Sequence, residues 1–209
     1  MRFRHMLLIL AIVVLVLSTT AQAGGPFIEY PWTVGARAQY MFIPDGIIDS
    51  YYDSHKSISA LGYGLFWGYG WDIIELHMNL ENYTAFWKSG TWLLKGGDFD
   101  KDRDYIDVKG VGMASVDATA WFKVPIGDYV QYRIGLGLGV GFPYGEVKSY
   151  DIIEGEREEK PDTESLPSVL PVFALENSFV FFLHEQFSIN VNFGVKNGLS
   201  SGLMFQAYF

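Results

Sequence analysis

Three sets of residues in this chain have the types and spacing to do chemistry. The densest is the acidic run Asp98-Phe99-Asp100-Lys101-Asp102-Arg103-Asp104, continuing to Asp107. The alternate aspartates Asp98, Asp100, Asp102 and Asp104 offer oxygen ligands to calcium, a hard cation that takes about six to eight of them. An EF-hand loop counted from Asp98 would need glycine and a bidentate acid where this chain has Arg103 and Lys109. Those cations and Lys101 offset the charge, so a solvated loop is the better reading, and no metal or other cofactor is expected. The second set, Asp53-Ser54-His55, holds an acid, a nucleophile and a base. Adjacent residues seldom face one another as a relay, because the base must reach the nucleophile with a third group behind it. The third set, Arg37, Glu75, His77, Asp117, Arg133 and Glu176, is scattered, and its meaning depends on the elements that carry it.

Those elements alternate. From Tyr129 to Phe142, Val130, Tyr132, Ile134, Leu136, Leu138, Val140 and Phe142 share one face. Gln131, Arg133, Gly135, Gly137, Gly139 and Gly141 share the other. A globular strand averages about five or six residues and a tilted membrane-crossing strand about nine to eleven, so the length of this segment favours a membrane. Trp71 to Tyr83 sets Ile74, Leu76, Met78 and Leu80 against Glu75, His77, Asn79 and Glu81. Ala114 to Phe122 and Phe187 to Lys196 repeat the rhythm, and weaker strands are expected at Val34–Phe42, Ser57–Trp67, Val169–Phe182 and Gly202–Phe209. Pro171 and Asn177 fit the Val169–Phe182 strand poorly, and a bulge or a shorter strand would reconcile them.

The links between strands alternate as well. Trp67–Trp71, Val124–Tyr129 and Phe182–Phe187 hold tight turns, whereas residues 43–56, 84–109 and 143–168 are long, and Lys196-Asn197-Gly198 is a hairpin. An even strand count closed on itself leaves no edge exposed to lipid, with long loops on one side. Aromatic girdles can be drawn from Trp67, Tyr69, Trp71, Trp121, Tyr129 and Phe182 at one end and Tyr40, Phe42, Tyr83, Phe86, Trp87 and Phe142 at the other.

Composition excludes other classes. With 209 residues, 49% apolar, 17% aromatic and no cysteine, the chain is neither disordered nor disulfide-stapled, and thiol chemistry is out. A net charge of −9 argues against nucleic acid. Arg2, Arg4 and His5, the apolar run Leu7–Leu17 and Ala21-Gln22-Ala23 read as a signal peptide over residues 1–23, leaving 24–209 as one exported domain.

The chain ends Leu203-Met204-Phe205-Gln206-Ala207-Tyr208-Phe209. Its alternate Leu203, Phe205, Ala207 and Phe209 look like the last-strand signal read by the outer-membrane insertion machinery. With that terminus and the cleaved signal, the mature chain resembles the OmpA/OmpX-type eight-stranded barrel family. The resemblance implies an all-β, antiparallel up-and-down transmembrane barrel in the bacterial outer membrane, among lipid and lipopolysaccharide. The fold hosts adhesins, tethers, small-solute conduits and lipid A enzymes, so function must come from the site.

In such a barrel Arg37, Glu75, His77, Asp117, Arg133 and Glu176 face inward near mid-height and should form one network. Eight strands leave an interior only wide enough for side chains, so the expected role is a plug in which Arg37 and Arg133 neutralise Glu75, Asp117 and Glu176. The alternative is a proton or ion path through His77. Loop residues Glu146 to Glu164, with eight acidic against three basic side chains, read as a hydrated surface or as a dock for a basic partner or divalent ions. Phe86-Trp87 and Trp92-Leu93-Leu94 point either to third and fourth strands that extend beyond the bilayer as a ribbon, the favoured reading, or to a ligand or lipid bound at the rim. The reading that follows is a monomeric or weakly associating surface-interaction protein, adhesin-like through its outward loops. A small-solute conduit and a lipid A acyltransferase or deacylase are the alternatives.

Overall fold

The computed structural model describes residues 30–85, 88–98, 103–153, 156–157 and 162–209, so the signal segment expected over residues 1–23 lies outside it. In chain order the elements are β1 (Trp32–Ile43), a single helical turn α1 (Asp45–Ile48), β2 (Tyr52–Ser54), β3 (Ile58–Trp71), β4 (Ile74–Ala85), β5 (Gly90–Leu94) and β6 (Arg103–Pro125). There follow β7 (Val130–Ile153), β8 (Glu156–Arg157), β9 (Asp162–Glu164), β10 (Leu170–His184), β11 (Phe187–Lys196) and β12 (Leu199–Tyr208). Eight of them, β1, β3, β4, β6, β7, β10, β11 and β12, pair antiparallel in chain order, and β12 pairs back onto β1 to close a barrel. Reciprocal backbone bonds between Trp32 and Phe209, 2.9 and 3.1 Å, fasten that seam.

The distribution of side chains is inverted relative to a water-soluble protein. Outward positions are apolar and exposed, as at Leu65 (63%), Leu138 (64%) and Phe205 (57%). Inward positions are polar or charged and buried, from Arg37 and Glu75 to Arg133 and Gln206. A band of exposed aliphatic and aromatic side chains around a polar lumen suits a hydrocarbon surrounding. Trp32, Trp67, Trp71 and Tyr129 point outward near the tight turns, and Tyr40, Phe42 and Phe142 near the long loops.

Three girdle assignments need correction. Phe182 has the inward parity of Glu176 and Val180 and lines the tight-turn end of the lumen beside Tyr208, ring centroids 5.7 Å apart. Tyr83 and Trp121 are 2% and 1% exposed and point into the lumen, because they share the inward parity of Glu81 and Thr119. Each fills the space beside a glycine: an added Cβ at Gly62 would meet the Tyr83 ring at 2.7 Å, and one at Gly135 the Trp121 ring at 2.8 Å.

Strand lengths differ from the sequence expectation above the barrel. It is β6 and β7, of 23 and 24 residues, that continue past the others as a ribbon, so residues 143–153 are strand and not loop. A register shift between Lys109 and Gly112 marks where the ribbon leaves the wall. Gly110 (φ 59°) and Gly145 (φ 111°) adopt conformations there that other residues resist, and a Cβ at Gly145 would also strike Val111 Cα at 2.6 Å.

Neither a bulge nor a shortened strand occurs at Pro171 and Asn177: β10 pairs with β7 without interruption from Leu170 to Phe181. On the other side, where β11 has ended, the Asn197 side chain replaces the ladder by donating to the Pro171 carbonyl (3.1 Å) and accepting from Phe173 N (3.1 Å).

Candidate functional site

The lumen holds two groups of buried polar side chains, one above the other. The lower group centres on Glu75, which period two turns inward just after the β3–β4 turn. Its carboxylate accepts from Thr33 Oγ1 (3.1 Å), His77 Nε2 (2.7 Å) and Gln206 Nε2 (2.5 Å), and pairs with Arg133 Nη1 at 3.0 Å. Arg133 donates further to Gln131 (2.7 Å), Gln206 (3.2 Å) and Tyr208 (3.0 Å). His77 lies flat against Phe66, centroids 4.6 Å apart, with Trp121 at 6.0 Å. These three rings occupy the lumen beside the charges.

The upper group centres on Arg37, which meets Glu176 Oε1 at 2.5 Å, Glu81 Oε1 at 2.9 Å and Gln39 Oε1 at 2.6 Å. Lys196 bridges Glu81 (2.6 Å) and Asp117 (2.7 Å). Asp117 also accepts from Asn79 (2.7 Å) and Thr119 (3.1 Å). Tyr83 donates to Glu81 and accepts from Gln39. Among the described residues no hydrogen bond or ion pair joins the two groups.

The single network expected from the sequence is therefore two, because the six residues stand at different heights: Arg37 with Glu176 and Asp117 above, and Glu75 with His77 and Arg133 below. Asp117 is met by Lys196 and not by an arginine. Sequence reasoning passed over Glu81, Lys196, Tyr83, Gln39 and Gln206 as site members. Their parity was visible, but their height was not, and long side chains reach along the lumen from strand ends. The ion pairs Arg133–Glu75, Arg37–Glu176 and Lys196–Asp117 join strands far apart in sequence, so these buried charges are matched only in the closed barrel.

The glycines of β7 answer a packing need. A Cβ at Gly139 would stand 2.3 Å from the Val116 carbonyl and 2.4 Å from Asp117 Cβ, and one at Gly137 2.7 Å from Thr119 Oγ1, so β6 occupies what the glycines vacate. A cavity of about 300 Å³ lies at the tight-turn end, and its deepest side chains are Glu75 and Arg133.

Above the barrel the β6–β7 ribbon carries the sheet onward, with β5 and then β2 added along β6 and β9 along β7. Ile48, Trp92, Leu93, Val147 and Ile152 are buried within this outer part, with Tyr52 edge-on to Trp92 at 5.1 Å. Asp49 Oδ1 takes His55 Nε2 at 2.8 Å, and Lys95 Nζ donates to the Asp49 carbonyl at 2.9 Å. The bond to Asp49 raises the His55 pKa above its ordinary value. Asp53, by contrast, accepts from Gly96 N at 2.8 Å, so the members of Asp53-Ser54-His55 are directed to different partners. Asp98 and Asp104 are described, whereas Asp100 and Asp102 lie outside the described residues, as do Phe86 and Trp87. Among the described residues no three acidic or imidazole groups converge as a metal site.

No protein-family model and no curated protein matches the chain. Solved structures do. The neisserial surface protein NspA superimposes with a TM-score of 0.51 at 10% identity, over 85% of this chain and 97% of that one. The chain folds as an eight-stranded barrel of the OmpA/OmpX type. A second barrel, Ail, the attachment invasion locus protein of Yersinia pestis, aligns at 16% identity over 87% of this chain and 99% of its own, with a TM-score of 0.46. At 10% identity the likeness to NspA speaks for the architecture of the barrel alone.

Proposed function

We propose that the protein is a surface-interaction protein of the bacterial outer membrane: a side-chain-filled, non-enzymatic barrel that holds an ordered acidic sheet outward toward lipopolysaccharide, surface ligands or other cells. The observation that carries this reading is the extension of β6 and β7 into a ribbon that collects β2, β5 and β9 around buried Trp92 and Leu93. Ordered structure is built outside the membrane, while the lumen is occupied by matched charges and rings.

The localisation rests on the signal-like residues 1–23 and on the inverted polarity of the wall. Leu203, Phe205 and Phe209 are exposed on the outer face of the closing strand, in phase with Ala207, where an insertion machinery could read them. The acidic excess of residues 146–164 suits a basic partner or divalent ions shared with lipopolysaccharide phosphates. A non-enzymatic role fits His55 being turned to Asp49 and bonded, among the described residues, to no seryl hydroxyl.

Replacing residues 86–107 and 148–164 with short turns tests the reading. The barrel should still insert, adhesion to surface ligands should fall at least about tenfold, and the lipid A acyl pattern should stay unchanged. Unaltered adhesion, or an acyl pattern that changes with this deletion and with His55→Ala, overturns it.

A further inference from the structure

Asn177 sits at the centre of β10, seven residues from either end, and faces outward. Its cross-strand neighbours are Ile134 on β7 and Phe193 on β11, and Leu175 and Phe179 flank it on its own strand. All four point the same way, into the band that meets hydrocarbon. Tyr132 Oη donates to Asn177 Oδ1 at 2.5 Å, which satisfies one end of the amide. Among the described residues nothing accepts from its Nδ2. Turning the amide over only exchanges which end is left over, because Tyr132 offers a single hydroxyl.

Asn82 shows how the wall treats an outward amide elsewhere. It lies three residues from the upper end of β4, donates to Tyr63 Oη (3.0 Å) and accepts from Tyr144 Oη (3.0 Å), so both its ends are bonded. At the middle of the strand lipid offers no alternative, since acyl chains carry no acceptors and ester groups lie at the boundary of the hydrocarbon. A polar group left over at that depth ordinarily faces another protein surface.

We propose that the β7–β10–β11 face is the contact surface for a second copy of this chain, with the two Asn177 amides paired across a two-fold axis. An amide is self-complementary: each Nδ2 donates to the other copy's Oδ1, whose second lone pair Tyr132 leaves open. The surrounding side chains suit a flat contact, with Leu136, Leu175 and Phe193 exposed and Phe179 stacked on Phe193 at 6.1 Å. The inference rests on the membrane placement proposed above.

The chain contains no cysteine, so single cysteines report cleanly. Leu175→Cys, and as control Leu65→Cys on the opposite wall, would be introduced into the mature protein and reconstituted in phosphatidylethanolamine–phosphatidylglycerol vesicles at falling protein density. Oxidation should couple Leu175→Cys protomers and leave Leu65→Cys single. Asn177→Leu, checked for folding by heat-modifiable gel mobility, should weaken association by roughly tenfold, the effect of two membrane hydrogen bonds. Coupling that is equal at both cysteines, a monomer at every density, or association unchanged by Asn177→Leu would overturn the proposal. Failure of the membrane placement itself would show differently, as a chain that stays soluble without detergent and never enters vesicles.

Discussion

The lumen and the outer sheet are both built of paired strands, yet they are held together over different distances in sequence. In the lumen Gln206 reaches Glu75 over 131 residues and Arg37 reaches Glu176 over 139. In the outer sheet Ser89 donates to Asp107 over 18 residues and Lys95 to the Asp49 carbonyl over 46. The lumen pairs come into being only when the barrel closes, so each charge depends on all eight strands. The outer sheet joins loop segments, β2 to β5 and β5 to β6, that can open without disturbing the wall. Damage to one region should therefore spread through the barrel, and damage to the other should stay local.

The largest effect should come from breaking a lumen pair on one side. Arg133→Met leaves the buried Glu75 carboxylate short of its guanidinium and should cost about 3–5 kcal/mol in urea unfolding from detergent or vesicles. The double variant Glu75→Leu/Arg133→Met should recover most of that loss, and equal losses in both would break the account of the pair. Next, Gly139→Val forces a methyl-bearing carbon into the Val116 carbonyl and should cost about 1–3 kcal/mol of the same barrel stability. Trp92→Ala should leave the barrel's unfolding midpoint in place, while limited proteolysis cuts residues 86–107 on the order of a hundredfold faster, because only the outer core loosens. A matching fall in barrel stability would erase the contrast between the two regions. The smallest effect belongs to His55. Its pKa is raised by Asp49, so the pair's contribution is complete below the ordinary histidine value and fades as pH climbs through the raised one. Amide exchange around β2 and β5 should quicken over that window, and His55→Gln should flatten the dependence.

Much of the barrel was legible because period two persists wherever one face meets lipid. All eight wall strands, the tight-turn end and the inward direction of Arg37, Glu75, His77, Asp117, Arg133 and Glu176 follow from that alternation. The ribbon was harder to read, because the register shift at Lys109–Gly112 breaks the parity that carries the signal, and Glu146 and Lys148 then resemble loop residues. The partner of Asp117 was not legible either. Lys196 stands at the end of β11, and only the length of its side chain and the curvature of the closed wall bring its ammonium to Asp117 and Glu81. Residue type misled at Trp121 and Tyr83, where aromatic character suggested a girdle and parity pointed inward.

The central claim is that matched charges and rings fill the lumen, and electrical recording tests it most directly. Refolded mature protein inserted into planar bilayers should show no steady conductance across the physiological voltage range. A sustained, ohmic current from the unmodified protein would contradict the claim.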